Sequence, residues 1–169
     1  MPLAAALALT LAAPTWRDVL KQDLPLLGHR NWICVVDAAY PAQTSPGIKM
    51  INTGADHTMV VNAVFKALSG TKHVRPAIYM DNELKFVAEA DAKGITSLRK
   101  LLDAAVKGKN PIRMPHEDII AKLDKAGSTF QILMLKTNCV LPYTSVFMEL
   151  GCGYWSDGAE ERMRAKIGG

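Results

Sequence analysis

The feature that most constrains this sequence is the alternation of short apolar runs with longer segments of helical periodicity. Residues 32–36, WICVV, form a continuous apolar run, which is typical of a strand buried on both faces of a sheet. Similar runs lie at residues 76–80, 130–136 and 145–150. Because a strand with two buried faces needs helices on both sides of its sheet, these runs predict helical layers around a central sheet.

Four intervening segments have the apolar spacing of amphipathic helices. The first begins after Thr15, a good N-cap, has Asp18 in its first turn, and ends by Gly28. The other three are residues 56–70, the segment from an N-cap at Thr96 to Gly108, and residues 115–127. The alternation predicts an α/β fold, a single three-layer α/β/α domain with a mostly parallel or mixed central sheet.

The two ends of the chain fall outside this pattern. We predict a leader at residues 1–13, the α/β domain at residues 14–155, and a polar tail at residues 156–169 that is a short surface helix or disordered. The leader is a secretory signal, an upstream start-site artefact or a disordered lead, because it has an apolar core but no preceding positive charge. It is too short to span a membrane. Export, for example to the periplasm, is slightly favoured over a cytoplasmic location.

Composition and motifs argue against several functional classes. Lys and Arg total 20 against 16 Asp and Glu, a net charge of +4, and the basic residues are spread along the chain. Without a basic stripe or a reader motif, we expect no nucleic-acid partner. The sequence has no CxxC or HExxH metal motif, no glycine-rich nucleotide loop and no GxSxG nucleophile motif.

The three cysteines do not define a disulfide framework. Cys34 lies inside the first apolar run and is expected to be buried as a small hydrophobic residue. Cys139 and Cys152 could pair in an oxidising compartment, but their spacing does not require it.

Candidate site residues follow from the ends of the predicted strands. Ligands of open α/β sheets bind in the crevice beyond the carboxyl ends of the strands. That rule selects Asp37, Asp81 and the loop after Lys136. His29 comes just before the first strand, and His116 lies in the first turn of a predicted helix.

Each candidate also has a purely structural interpretation. His29 could be a surface histidine at a helix end, and Asp37 could close an Asx turn. His116 could be an exposed first-turn residue, and Tyr143 a core tyrosine with a solvated hydroxyl. His57 has no neighbours in sequence that suggest a function.

Three blocks together resemble one known family. GHRNWICVVDAAYP, PHEDII and TNCVLPYTSVFMELG are similar to the corresponding blocks of the D-ribose pyranase and L-fucose mutarotase family, over roughly residues 16–154. The histidine in PHEDII makes the chain more similar to the ribose pyranase branch. The leader and the tail lie outside the resemblance.

The resemblance implies roles for five residues. His29 matches the family's catalytic proton donor, and Asp37 and His116 match positions that contact the sugar. Tyr143 matches the tyrosine of the closing block, and Ser145 stands where the family usually has asparagine. Serine reaches less far than asparagine and offers fewer hydrogen bonds, so this departure puts the identity of the sugar in question.

The resemblance also implies the chemistry and the assembly. We expect a cofactor-independent isomerase that interconverts the anomers or the pyranose and furanose forms of a monosaccharide by acid/base ring opening. It implies a ring-like homo-oligomer with the site at a subunit boundary. The alternatives are a sugar-binding module without turnover that is associated with sugar uptake or catabolism, and an isomerase or lyase of another carbonyl substrate.

Overall fold

The computed structural model describes residues 13–167, so residues 1–12 of the predicted leader lie outside the described part. The helices are α1 (Trp16–Asp23), α2 (His57–Ser69), α3 (Ile95–Ala105), α4 (His116–Gly127) and α5 (Asp157–Ile167). The strands are β1 (Trp32–Val36), β2 (Ile48–Asn52), β3 (Val74–Asp81), β4 (Ile112–Met114), β5 (Ile132–Lys136) and β6 (Val146–Cys152). Single 3₁₀ turns follow α1 at Leu24–Leu26 and β3 at Asn82–Phe86.

The six described strands form one mixed sheet in the order β2-β5-β1-β6-β3-β4. β1 is parallel to β5, β5 to β2, and β3 to β4. β6 lies between β1 and β3 and runs antiparallel to both. The α/β class and the mixed sheet are therefore as predicted. The carboxyl ends of five strands and the amino end of β6 lie at one edge of the sheet.

The two faces of β1 pack into two separate cores, because successive side chains of a strand point to opposite sides. Ile33 and Val35 pack with apolar residues of α1, α2 and α3. Trp32, Cys34 and Val36 pack with apolar residues of α4. All five residues are buried, which explains the continuous apolar run and makes the domain a three-layer α/β/α structure.

Helix starts depend on specific polar side chains. Thr15 caps α1, as the sequence predicts, and it also forms a reciprocal capping box with Asp18. The predicted N-cap at Thr96 is wrong, because α3 begins after Gly94. The reason is tertiary. The Glu89 carboxylate accepts the backbone N–H groups of Gly94 and Thr96 at 2.6 and 2.9 Å, and so satisfies the donors that a side-chain cap would otherwise take.

Elements that the sequence does not predict lie at the periphery. β2 and β4 are the two edge strands of the sheet and are half-exposed or exposed, so neither has a continuous apolar run. The polar tail forms α5, one of the two predicted alternatives, and no residue of α5 is buried. An amphipathic pattern is absent where a helix packs little surface against the core.

The three cysteines are all free thiols within residues 13–167. Cys34 is a buried free thiol, as expected, and Cys139 and Cys152 are free as well. Cys139 follows β5 at the carboxyl edge and Cys152 ends β6 at the opposite edge, so they are not placed to pair. No helix in the described range is long and apolar enough to cross a membrane.

Gly47→Ala is expected to lower the free energy of unfolding by about 1–3 kcal/mol, because a Cβ there would overlap the carbonyl oxygens of Gly127 and Phe130. The close approach of the two backbones allows the Gly47 N–H to donate a hydrogen bond to the Gly127 carbonyl at 2.8 Å. Gly70→Ala is the matched control, since its Cβ would make only ordinary contacts. Urea denaturation of both variants tests this, and equal midpoints would contradict the packing argument.

Candidate functional site

The register of the sheet brings three polar residues together at the carboxyl edge. Val146, the first residue of β6, pairs with Val35 of β1 on one side and with Met80 of β3 on the other. Ser145 therefore lies just beyond the strand ends that lead into Asp37 and Asp81. The rule that ligands bind beyond carboxyl strand ends points to this edge.

Asp37 is half-buried and uses both carboxylate oxygens. One oxygen accepts the backbone N–H of Ala39 at 2.8 Å, which closes the Asx turn considered from the sequence. The other accepts a hydrogen bond from the hydroxyl of the buried Ser145 at 3.4 Å. The structural and the functional interpretations of Asp37 are therefore compatible, because the turn holds the carboxylate at the edge of the sheet.

His116 is held from three directions at the start of α4. Its backbone N–H donates to the Glu83 carboxylate at 3.0 and 3.2 Å. Its ring Nδ1 lies 3.1 Å from Oδ1 of Asp81. The Tyr143 ring meets the imidazole edge to face, with centroids 5.6 Å apart. The imidazole thus has a fixed orientation, and its side chain remains 24% exposed.

Asp81 is a fully buried carboxyl group with an incomplete set of partners. Burial raises its pKa to about 6, while the hydrogen bond from His116 acts in the opposite direction. Its Oδ2 atom has no hydrogen-bond partner among the described residues. A buried oxygen without a partner is costly, so this group needs an explanation other than stability.

The loop between β5 and β6 presents Tyr143 toward His116. Tyr143 has a φ of 58°, a left-handed backbone conformation that costs a residue with a Cβ about 1–2 kcal/mol. It is also 38% exposed, so it is not the core tyrosine of the structural alternative. A strained residue of this kind persists only where the surrounding structure holds it in place.

His57 is the group that holds this loop. Its side chain is buried, with Nε2 2.8 Å from the Thr144 carbonyl and Nδ1 2.9 Å from the Thr137 hydroxyl. Because a carbonyl only accepts, Nε2 carries a ring proton and donates it to the Thr144 carbonyl, while Nδ1 contacts the Thr137 hydroxyl. Burial lowers the pKa of His57, which keeps the ring neutral. The two hydrogen bonds join Thr137 and Thr144, which lie near the two ends of the loop, to the start of α2.

His29 lies at the opposite edge of the sheet from the other four predicted site residues. It is exposed in the turn before β1, whereas Asp37 follows β1. The five residues of the strand separate the two edges by about 16 Å at the usual rise. His29 lines a cavity of about 400 Å³ with Arg75, Cys152 and Glu160.

The structure therefore brings together Asp37, His116, Tyr143 and Ser145, and it does not bring His29 to them within one chain. Two further residues of the edge, Glu83 and His57, were not anticipated. No local sequence signal identifies either one, because each acts through a partner distant in sequence. Within residues 13–167, no group of three or more His, Cys, Asp or Glu side chains is arranged to hold a metal ion.

No protein-family model matches the sequence, and no curated protein sequence matches it. The described fold is nevertheless shared with solved structures of sugar-binding and sugar-mutarotating proteins. RbsD of Bacillus subtilis, solved in complex with D-ribose, superposes with a TM-score of 0.58 at 14% identity, covering 84% of this chain and 98% of RbsD.

Two further solved structures give a similar result. The fucose mutarotase of Streptococcus pneumoniae, solved with L-fucose, has a TM-score of 0.55 at 18% identity, covering 83% of this chain and 98% of its own. FucU of Bifidobacterium longum has a TM-score of 0.51 at 12% identity, covering 79% of this chain and 93% of FucU. At these identities the likeness establishes the shared fold.

Asp81→Asn is expected to raise the free energy of unfolding near neutral pH by about 1–3 kcal/mol. Between pH 3.8, the ordinary pKa of the group, and about pH 6, its pKa in the folded protein, Asp81 binds a proton more tightly in the folded protein than in the unfolded chain. The stability that protonated Asp81 contributes is therefore fully present below pH 3.8, and it is lost as the pH rises through about 6. Asparagine does not titrate, so the gain should vanish below about pH 4.

Urea denaturation at about pH 4 and about pH 7.5 measures this difference. Asp103→Asn is the control, because Asp103 is exposed and its partner among the described residues is Arg113. A gain of equal size at both pH values, or a loss near neutral pH, would show that Asp81 is not a costly buried charge.

Proposed function

We propose that this protein is a monosaccharide mutarotase or pyranase, which interconverts the anomers or ring forms of an aldose by acid/base ring opening. The observation that carries the proposal is the convergence of Asp37, His116, Tyr143 and Ser145 at one sheet edge from separate blocks of the sequence. The shared fold with structures that contain D-ribose and L-fucose supports it.

The chemistry of these groups suits a sugar ring. The Asp37 carboxylate accepts hydrogen bonds from hydroxyl groups, and the Ser145 and Tyr143 hydroxyls can donate or accept. The exposed Tyr143 ring offers an apolar surface for the C–H face of a sugar. Ring opening needs one proton delivered to the ring oxygen and one removed from the anomeric hydroxyl, which side chains can supply without a cofactor.

The position of His29 makes the proposed site depend on a second copy of the chain. His29 and the Asp37 edge lie at opposite ends of β1, so one sugar can contact both only if a neighbouring copy supplies His29. Contact between two different patches is a head-to-tail interface, which closes into a ring when its rotation permits. This supports the ring-like homo-oligomer with the site at a subunit boundary.

We propose that the side chains of His116 and Ser145 determine which sugar is preferred. His116 favours the ribose pyranase branch, and the short Ser145 side chain, engaged with Asp37, leaves more room than asparagine would. We propose ribose as the first sugar to test and fucose as the second.

A sugar-binding module without turnover is the second candidate. It is favoured by the separation of His29 from the other site residues, since a chain that stayed monomeric would bind sugar without its proposed proton donor. Saturable sugar binding by calorimetry together with no anomer exchange would select this candidate.

The enzyme proposal predicts that the protein accelerates exchange between anomeric or ring-form signals of at least one aldose, measured by NMR saturation transfer on a panel that includes ribose and fucose. His29→Ala is expected to lower the rate by about 10²–10⁴-fold, because general acid catalysis would be lost. His73→Ala is the control histidine, since its ring contacts the Leu24 and Leu27 carbonyls away from the site edge. Exchange at the buffer rate with every sugar would refute the proposal.

The shared-site arrangement predicts complementation between two inactive variants. When His29→Ala and Asp37→Asn chains are co-expressed and mix at random, about one quarter of the sites receive both intact residues, one from each neighbour. The mixture should recover about a quarter of the wild-type exchange rate. Co-expression of His29→Ala with the double variant is the control and should recover nothing. No recovery in the first mixture would place both residues in one chain's site.

A further inference from the structure

Asp81 is a buried charged group that the proposed function does not use. Its side chain has no exposed surface, Oδ1 faces the His116 ring, and Oδ2 has no partner among the described residues. It ends β3 at the same sheet edge as Asp37 and is separated from it by the start of β6. A carboxyl group in such a place is better explained by its effect on His116 than by stability.

The contact between the two residues selects one form of the imidazole. An ionised carboxylate only accepts hydrogen bonds, so Nδ1 of His116 must carry a proton to donate to Asp81 at 3.1 Å. In the neutral ring, Nε2 is then without a proton. Within the described residues Nε2 makes no hydrogen bond, and 24% of the side-chain surface of His116 is exposed. His116 is therefore oriented as a base.

The charged groups around the His116 ring are mainly carboxylates. Asp81, Glu83 and Asp37 all lie at the edge that carries His116, with Glu83 bound to its backbone N–H and Asp81 to its ring. Within the described residues, the aromatic ring packed against His116 is that of Tyr143. Lys136, the nearby cation of β5, donates its Nζ to the Tyr40 carbonyl at 2.8 Å. An imidazolium at His116 would thus face carboxylates.

We infer that Nε2 of His116 is the base that removes the anomeric hydroxyl proton, and that Asp81 is the positioning residue that holds the imidazole in its Nδ1–H form. The inference rests on the proposed function and goes beyond it. In the proposed function His116 only contacts the sugar, and Asp81 has no role.

The proton and electron balance is complete within the residues named. His116 takes the proton of the anomeric hydroxyl, and the electron pair of that O–H bond forms the carbonyl bond of the open-chain aldehyde. The bond between the anomeric carbon and the ring oxygen breaks, and its electron pair goes to the ring oxygen, which receives a proton from His29 of the neighbouring copy. Reclosure by a hydroxyl group reverses both transfers, so neither histidine is consumed.

Kinetics of three variants separate this role from simple sugar binding. Asp81→Asn keeps the size of the side chain but removes the charge that stabilises the imidazolium, and it should lower the exchange rate at saturating sugar by about tenfold or more. Its sugar affinity by calorimetry should stay within about threefold of wild type. His116→Gln should lose about 10²-fold or more of the rate. Glu117→Gln is the control, because Glu117 is the exposed carboxylate next to His116 in α4.

The tautomer of His116 gives a readout that does not depend on activity. Long-range ¹H–¹⁵N correlation spectra at about pH 8, assigned by comparison with His116→Gln, should show a protonated Nδ1 and a bare Nε2. The Glu117→Gln spectrum should be the same. A protonated Nε2 in the wild-type protein would overturn the inference.

The outcomes distinguish this inference from the proposed function. A slow Asp81→Asn variant with unchanged sugar affinity, and with a free energy of unfolding no lower than that of the wild-type protein, supports the base role. An Asp81→Asn rate within twofold of wild type, or an equal loss of affinity and rate, overturns the base role and leaves the isomerase proposal standing. Absence of exchange in the wild-type protein with every sugar overturns the proposed function and this inference together.

Discussion

The candidate site depends on the reversed strand β6 at the centre of the sheet. β6 pairs with β1 on one side and with β3 on the other, so its first residues lie between two carboxyl strand ends. This arrangement places Ser145 next to Asp37 and brings Tyr143 over His116. If β6 were parallel, the loop that carries Tyr143 and Ser145 would lie at the other edge. The direction of one buried strand therefore determines which side chains meet.

The edge also contains features that stability alone would not select. Asp81 is buried with an oxygen that lacks a partner, and Tyr143 has a left-handed backbone conformation. The two bonds of His57 hold the loop against this strain. Costs of this kind concentrate at functional sites, where the rest of the fold maintains an arrangement suited to a ligand.

The central elements could be predicted from sequence because their burial leaves a strong local pattern. β1 is apolar throughout since both of its faces are covered, and α4 has Pro115 before it and Gly127 at its end. The edge strand β2 and the surface helix α5 leave weaker patterns because they bury little. Asp37 could be selected from its place after a strand, whereas the parts played by Glu83 and His57 arise from partners more than 30 residues away.

The central claim is that a monosaccharide binds at the carboxyl edge of the sheet, between Asp37 and His116, with His29 supplied by a neighbouring copy. A crystal structure of the protein with D-ribose or L-fucose tests it most directly. The account predicts sugar density within hydrogen-bond distance of Asp37 and His116, packed on Tyr143, with the His29 imidazole of an adjacent subunit beside the ring oxygen. Sugar bound elsewhere, or bound at this edge with every His29 distant from it, would contradict the account.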